Sequence, residues 1–180
     1  MYSLVRKTLE MYLREQKIIT LSDFPPELSP FMKTKEGVFV TLYYEGKVIA
    51  SSGRIAAKKE NTLYECIDNT LLCLKDPRFV TEIQSLEKLG DIRIRTDHFT
   101  GENRRVLRTI DELDTSREGL ILLSQNLGVM SVILPHMLHV DMTSRAYFSL
   151  ACQKAGIEEK DLTSADYVVY GFTTTSESDF

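Results

Sequence analysis

Apolar and polar residues follow one another along the chain with two different periods. Near the start, Leu4, Val5, Leu9, Tyr12 and Leu13 recur at helical spacing among charged residues. This pattern predicts an amphipathic helix with one buried stripe. The segment that follows, SDFPPELSP, contains three prolines and predicts a loop, because proline lacks the amide hydrogen and fixes φ.

The next stretch predicts a β-hairpin. Residues 37–44, GVFVTLYY, are rich in β-branched and aromatic residues, and Glu45-Gly46-Lys47 is a suitable turn into a second strand over Val48–Ile55. That second strand carries four consecutive small residues, Ala50-Ser51-Ser52-Gly53. Either a neighbouring element packs closely on this strand, or a ligand approaches its backbone.

A second amphipathic helix and a charged strand follow. Apolar residues at 63, 66, 67, 71 and 74 predict a helix that ends before Asp76-Pro77. In GDIRIRTD, Ile92 and Ile94 alternate with arginines, which predicts a strand with one face in water.

The second half of the chain predicts two further strands, a helix and a last strand. The apolar run GLILLSQNLGVMSVILP predicts two strands around a turn at 125–128. Thr143 or Ser144 can cap a helix through Lys154, and Gly156 is suited to end it. The segment DYVVYGFTT predicts the last strand.

Strands in hairpin-like pairs, with helices before, between and after them, predict an α+β fold with a mainly antiparallel sheet flanked by helices. We expect a single domain over residues 1–174, with two lobes sharing one compact unit and a smaller lobe over about residues 78–118. Residues 175–180 are mostly polar and are expected to form a frayed C-terminal tail.

Composition and charge narrow the function classes. Of the 180 residues, 43% are hydrophobic and 27% charged, as in soluble globular proteins. The net charge of -4 argues against a nucleic-acid partner. We interpret the arginines that lie close together in sequence as a solvated strand edge and loop: Arg93, Arg95, Arg104, Arg105 and Arg108. The start of the chain does not resemble a signal peptide, and no apolar run approaches the length of about 20 residues that spans a bilayer.

The three cysteines do not have the spacing of a metal or redox motif. Cys66 and Cys73 are two helical turns apart, which predicts buried free thiols. We therefore expect a cytoplasmic protein without an iron–sulfur cluster or another cofactor.

Several segments, in order, resemble the AMMECR domain family, the A component of the AmmeMemoRadiSam set. The resemblance spans nearly the whole chain and implies an intracellular domain of two lobes, with a cleft near the signature strand. It also implies partnership with a Memo-like protein and a radical S-adenosylmethionine protein. The matching segments are GVFVTL (37–42), KDPRF (75–79), EGLIL (118–122), Leu134-Pro135, LACQKAGI (150–157) and YGFTT (170–174).

The family's signature strand reads Leu-Arg-Gly-Cys-Ile-Gly, and the aligned residues here are Val48 to Gly53. Ile49 replaces the arginine, Ser51 replaces the cysteine, and only Gly53 is identical. A serine hydroxyl needs a positioned general base before it can attack a substrate, whereas a cysteine can ionise near neutral pH. We expect this chain to perform the signature's chemistry poorly or not at all.

Two hypotheses for function follow. The first is a binding or protein-interaction module with a cleft beside the strand at 48–55. The second is an enzyme or small-molecule handler for an anionic metabolite, which would use a serine, Asp76 and Arg78. An Asp-Pro turn in which Arg78 pairs locally and Phe79 packs inward explains the same residues without a ligand. The candidate cleft residues are Ser51, Ser52, Gly53, Asp76 and Arg78.

The segment HMLHVD is a weak metal-site candidate. On a helix, His136 and His139 would lie on one face, and Asp141 could complete a site. Because there is no clear third ligand and the family pattern offers no match here, we do not expect a metal.

Overall fold

The computed structural model describes residues 1–99, 102–137, 143–162 and 167–180. The chain divides into two compact units, one made of Met1–Gly101 with Thr175–Phe180 and the other of Glu102–Thr174. In the described part of the chain, no helix has the length and apolar character needed to cross a membrane.

The first unit contains three helices and a four-stranded antiparallel sheet. The helices are α1 (Tyr2–Glu15), α2 (Thr62–Cys73) and the short α3 (Pro77–Glu82). The strands are β1 (Gly37–Tyr44), β2 (Lys47–Gly53), β3 (Arg93–Phe99) and β8 (Thr175–Ser178), in the order β2-β1-β3-β8. Short 3₁₀ helices lie at Leu21–Asp23, Pro26–Met32 and Leu86–Asp91.

Helix and hairpin signals in the sequence explain how this unit is built. In α1, Leu4, Val5 and Leu9 are buried in the core, as the helical spacing predicts. Glu45 and Gly46 both adopt positive φ, 48° and 75°, which matches the twist of the flanking strands and closes the β1–β2 hairpin. β2 lies at the edge of the sheet, and α2 packs on the inner side of β1 and β2.

The second unit contains one helix and a second four-stranded antiparallel sheet. The strands are β4 (Arg104–Leu107), β5 (Gly119–Ser124), β6 (Val129–Ile133) and β7 (Val168–Phe172), in the order β4-β7-β5-β6. Helix α4 (Ser144–Ala155) is capped by the Thr143 hydroxyl and ends at Gly156 with φ 71°. Short 3₁₀ helices lie at Ile110–Glu112 and Glu159–Asp161. The α+β class with antiparallel sheets flanked by helices is thus confirmed.

The C-terminal segment corrects one expectation. It is not a frayed tail, because Thr175–Ser178 pairs with β3 as strand β8. The Asp179 carboxylate accepts a hydrogen bond from the amide of Ile94 at 2.7 Å and forms an ion pair with Arg6 at 2.7 Å. Polar side chains do not prevent a strand from forming when a neighbouring strand offers free backbone groups.

The face of β3 that carries Arg95 and Asp97 is not in water. Arg95 is buried with 6% of its surface exposed; its Nη2 lies 2.7 Å from Oδ1 of the buried Asp97 and donates to the Ser176 hydroxyl of β8 at 3.3 Å. The prediction that Arg95 is solvated is therefore wrong, whereas Arg93, Arg104, Arg105 and Arg108 are exposed. The second compact unit covers 102–174 and differs from the smaller lobe expected at about 78–118. The single domain over 1–174 stays a prediction.

Candidate functional site

Strand β2 lies at the position of the family signature, and both of its serine hydroxyls form hydrogen bonds within the protein. Ser52 pairs with Val40 of β1 and lies on the side of the sheet that faces α2, where its hydroxyl donates to Oδ1 of Asn69 at 3.1 Å. Ser51 pairs with Thr41 on the opposite side, and their two hydroxyls are 3.3 Å apart. The two serines thus face opposite sides, as strand alternation requires, and each is half-buried.

Gly53 is small because of Phe39. A Cβ on Gly53 would lie 2.1 Å from Cδ1 of the Phe39 ring and 2.6 Å from the Phe39 Cα. The close approach here is therefore made by a neighbouring residue of the same sheet. For Gly53, close packing accounts for the small residue without a ligand.

Two polar residues of α2 that the sequence did not predict, Asn69 and Glu65, support this strand. Both are fully buried. The Asn69 amide donates to Val38 O at 3.1 Å, to Glu65 O at 2.9 Å and to Glu65 Oε1 at 3.1 Å. The signal was present, because Asn69 lies three residues after Cys66 and four before Cys73, on the buried stripe of the helix.

Glu65 fixes the segment that leaves β2. Its Oε1 accepts from Arg54 Nη1 at 2.6 Å, and its Oε2 accepts from the amides of Lys58 and Lys59 at 2.8 and 3.0 Å. Burial pushes the pKa of Glu65 up, but the Arg54 guanidinium and the two amides more than offset this, so the pKa lies below its ordinary value. Asp68 joins the same group, with Arg54 at 2.8 Å and Lys59 at 2.9 Å.

Asp76 and Arg78 form a local pair at the start of α3. The Asp76 side chain caps the helix by accepting from the Arg78 amide, and it also accepts from Arg78 Nε at 3.0 Å and Nη2 at 2.7 Å. The Arg78 guanidinium is the main reason that the pKa of Asp76 lies below its usual range, and the backbone amide of Ser51 adds to the effect. Phe79 is buried in the core. The structure therefore brings Asp76 and the Ser51 backbone together and engages Arg78 locally.

The cysteines of the first unit do not supply a reactive thiol. Cys66 and Cys73 are buried in the core, and burial raises the pKa of each thiol to about 12. Cys152 is also free and buried. At neutral pH all three are protonated, and the expectation of buried free thiols is confirmed.

The histidines give no metal site in the described residues. His136 is exposed, with φ 54°, while His139 and Asp141 lie outside the described residues. Within the ranges that the structure describes, no three His, Cys, Asp or Glu side chains are grouped so as to hold a metal ion. His98 of β3 is buried against the Phe31 ring, with Nδ1 3.6 Å from Glu36 Oε2, and burial lowers its pKa.

A groove in the first unit runs along α2, which we call the α2 groove. It measures about 480 Å³. Its apolar part is formed by Ile18 and by one face of α2, with Tyr64, Ile67 and Leu71; Ile18 is 55% exposed. Its charged rim consists of Lys58, Lys59, Glu60 and Asp68. The rim residues 58–60 belong to the segment that Glu65 fixes after β2.

Comparisons with known proteins agree with this architecture. A family model described as AMMECR1 matches residues 2–176. A protein of Methanosarcina mazei is 29% identical over 160 residues, which cover 86% of this chain and 77% of that protein. The crystal structure of an uncharacterized protein from Pyrococcus horikoshii superposes with a TM-score of 0.76 at 22% identity, covering 97% of this chain and 87% of that one. The likeness to the Pyrococcus horikoshii structure concerns the fold.

Proposed function

Since the chain belongs to the AMMECR1 family but lacks the arginine and cysteine of the signature strand, we propose that it acts by binding another protein and not by catalysis. The polar groups at the signature position are bonded within the protein, and the thiols are buried and protonated. A nucleophile needs an accessible reactive atom and a base beside it. The described residues around β2 do not combine the two.

The observation that carries the proposal is the α2 groove. Ile18 exposes 55% of its surface beside Tyr64 and Leu71, which are partly buried against the core of the unit. A partly exposed apolar surface with a charged rim is a common form of protein-binding surface. The Glu65 carboxylate accepts hydrogen bonds from the backbone amides of Lys58 and Lys59 in the rim. This part of the groove is therefore preorganised for a partner.

The proposed partners are the Memo-like protein and the radical S-adenosylmethionine protein that the family resemblance suggests. In this proposal an apolar segment of the partner packs on Ile18, Tyr64 and Leu71, and its charged residues meet the rim. The cleft lined by Ser51, Ser52 and Gly53 stays a prediction. The α2 groove is lined in part by residues 58–60, which follow the end of β2 at Gly53 by a few residues.

Isothermal titration calorimetry with each purified partner tests the proposal. The variant Ile18→Glu places a charge in the apolar part of the groove. We therefore expect it to weaken binding at least about tenfold, which corresponds to about 1.4 kcal/mol of binding free energy. Leu86→Glu is the matched control, because Leu86 is 43% exposed and does not line the groove. Equal affinity of Ile18→Glu and the unchanged chain would refute the groove as the binding surface.

The Asp76–Arg78 pair supports a second candidate, a site for a small anionic metabolite. Arg78 exposes 54% of its side chain, and its Nη1 makes no hydrogen bond within the described residues. A carboxylate or phosphate could bind to this free edge of the guanidinium. A thermal-shift screen with phosphate and with small carboxylates tests this: a stabilisation that Arg78→Gln abolishes would support it, and no stabilisation by any anion would exclude it.

A further inference from the structure

The second unit contains a cavity at the end of its sheet where β4 ends and β7 begins. It has a volume of about 440 Å³, within the size range of small-molecule sites. Because β4 and β7 are antiparallel neighbours, Val106 near the end of β4 and Val168 at the start of β7 lie at the same end of the sheet. The two valines are 59% and 40% exposed, so the cavity has apolar walls that are open to water.

Aromatic rings form another wall of the cavity. Phe148 of α4 and Tyr167 both line it, and their ring centroids are 5.5 Å apart. Phe148 is held in the core of the unit, so this wall is fixed by packing. An aromatic or acyl group fits such a surface by contact with the rings and the two valines.

The charged residues that line the cavity are both arginines. Its charged lining residues are Arg108 and Arg145, and its lining, all within the described residues, includes no Asp or Glu. Arg145 forms an ion pair with Glu159, which also accepts a hydrogen bond from the Ser149 hydroxyl. The Arg108 guanidinium makes no ion pair with a carboxylate of the described chain, although its backbone amide donates to Glu112. Arg145 also lies in the first turn of the 12-residue α4, where the helix dipole favours an anion.

We propose that this cavity binds a small organic carboxylate with an aromatic or acyl body. The body lies between Phe148, Tyr167 and Val168, and the carboxylate forms a charge-assisted pair with Arg108. The α2 groove differs, because Lys58 and Lys59 there are accompanied by Glu60 and Asp68. The site belongs to the other compact unit and does not depend on the function proposed above.

Nuclear magnetic resonance titration of the full chain with naphthoate tests this proposal. We expect saturable shifts of the amides at 106–110, 145–148 and 167–169. Naphthalenemethanol has the same ring without the charge, so we expect it to bind about tenfold more weakly or worse, as expected for a lost charge-assisted hydrogen bond. Arg108→Gln should weaken naphthoate binding by a similar factor, and Arg108→Lys should weaken it less.

Arg104→Gln is the matched control, since Arg104 is an exposed arginine at the start of edge strand β4, which Arg108 follows directly, and it does not line the cavity. It should leave naphthoate affinity unchanged. Val168→Asp should abolish binding, because it places a like charge beside the carboxylate at a position that is 40% exposed. The dispersion of the spectrum reports whether each variant is folded.

Any of four results would overturn the proposal. The first is equal affinity for naphthoate and naphthalenemethanol, which would mean that the arginines do not select for charge. The second is an equal loss in Arg104→Gln and Arg108→Gln, which would indicate a general surface effect. The third is a set of shifts centred on the α2 groove, and the fourth is no saturable shift up to the solubility limit of naphthoate.

Discussion

The small residues of β2 lie in different surroundings, although they are adjacent in sequence. Ala50 is fully buried in the core of the first unit, and Gly53 lies against the Phe39 ring. Ser52 is bonded to Asn69 and Ser51 to Thr41. Each residue is accounted for by its neighbours within the sheet and α2. At the position of the family signature, this chain therefore has residues that pack and bond within the sheet and against α2.

The variant Gly53→Ala tests the packing explanation. The new Cβ would collide with the Phe39 ring and with the Phe39 Cα, so the sheet would have to shift. We expect a loss of about 1–3 kcal/mol in the free energy of unfolding, measured by urea denaturation. Gly90→Ala is the control, because nothing lies within 4 Å of the added atom and the φ of Gly90 is not positive. An equal effect of the two variants would contradict the explanation.

The thiols provide a second test at this scale. Burial and pKa values of about 12 for Cys66 and Cys73 predict that the folded protein does not react with an aromatic disulfide reagent at neutral pH. In denaturant all three cysteines should react. Rapid labelling of any thiol in the folded protein would show that a nucleophile is accessible after all.

Among the structural elements, α2 has the largest influence on the candidate site. It supplies Asn69 to β2, Glu65 to the segment after β2, and the apolar face of the α2 groove. Glu65 is fully buried and bonded to a partly exposed arginine and two backbone amides. Replacing its carboxylate by an amide removes the charge and turns one of the two oxygens into a donor that faces other donors, which is more costly than the loss of an exposed ion pair.

The variant Glu65→Gln should lower the free energy of unfolding by about 2–3 kcal/mol at neutral pH. The folded pKa of Glu65 is below its ordinary value of 4.5, so the unfolded chain takes up the proton first as the pH falls. The stabilisation is therefore complete above about 4.5 and is lost as the pH falls toward the folded pKa. Urea denaturation at several pH values should show that the difference in the free energy of unfolding between Glu65→Gln and the unchanged protein shrinks below about pH 4.5.

Glu15→Gln provides the control, because the Glu15–Lys17 pair is exposed, with 53% and 67% of the side chains accessible. It should cost less than about 0.5 kcal/mol. A difference between Glu65→Gln and the unchanged protein that stays constant down to acid pH would show that Glu65 is not ionised in the folded state.

Elements with strong local signals could be predicted from the sequence. The apolar spacing of α1 and α2, the Glu45-Gly46 turn and the helix end at Gly156 are properties of neighbouring residues. Strand β8 could not be predicted in this way, because its polar residues have no apolar period and its partner β3 is far away in sequence. The burial of Arg95 had a signal that was overlooked, since Asp97 lies two residues on and therefore on the same face of the strand.

The candidate site was predictable only in part. The location of the signature strand could be taken from the resemblance, and the local Asp76–Arg78 pair from the Asp-Pro turn. The bonds of Ser52 to Asn69 and of Glu65 to the segment after β2 depend on how α2 lies on the sheet. The cavity of the second unit is formed by residues that are distant in sequence, so no local pattern indicates it.

At the scale of the whole molecule, the chain returns to its first unit after completing the second. Strand β8 follows the second unit in sequence and pairs with β3 of the first. Removal of residues 175–180 should therefore destabilise the first unit by about 3 kcal/mol or more, since several backbone hydrogen bonds of about 1 kcal/mol each are lost and the buried Arg95 loses its hydrogen bond to the Ser176 hydroxyl. Thermal unfolding followed by circular dichroism measures this, and an unchanged midpoint would show that β8 adds no stability.

We propose above all that this AMMECR1-family chain works by binding a protein at the α2 groove. Hydrogen exchange measured by mass spectrometry, with and without the Memo-like protein and the radical S-adenosylmethionine protein, tests it most directly. Binding at the groove should protect residues 58–71 and leave residues 102–110 unchanged. If a complex forms but residues 58–71 are not protected, the proposal is contradicted and the interaction surface lies elsewhere on the molecule.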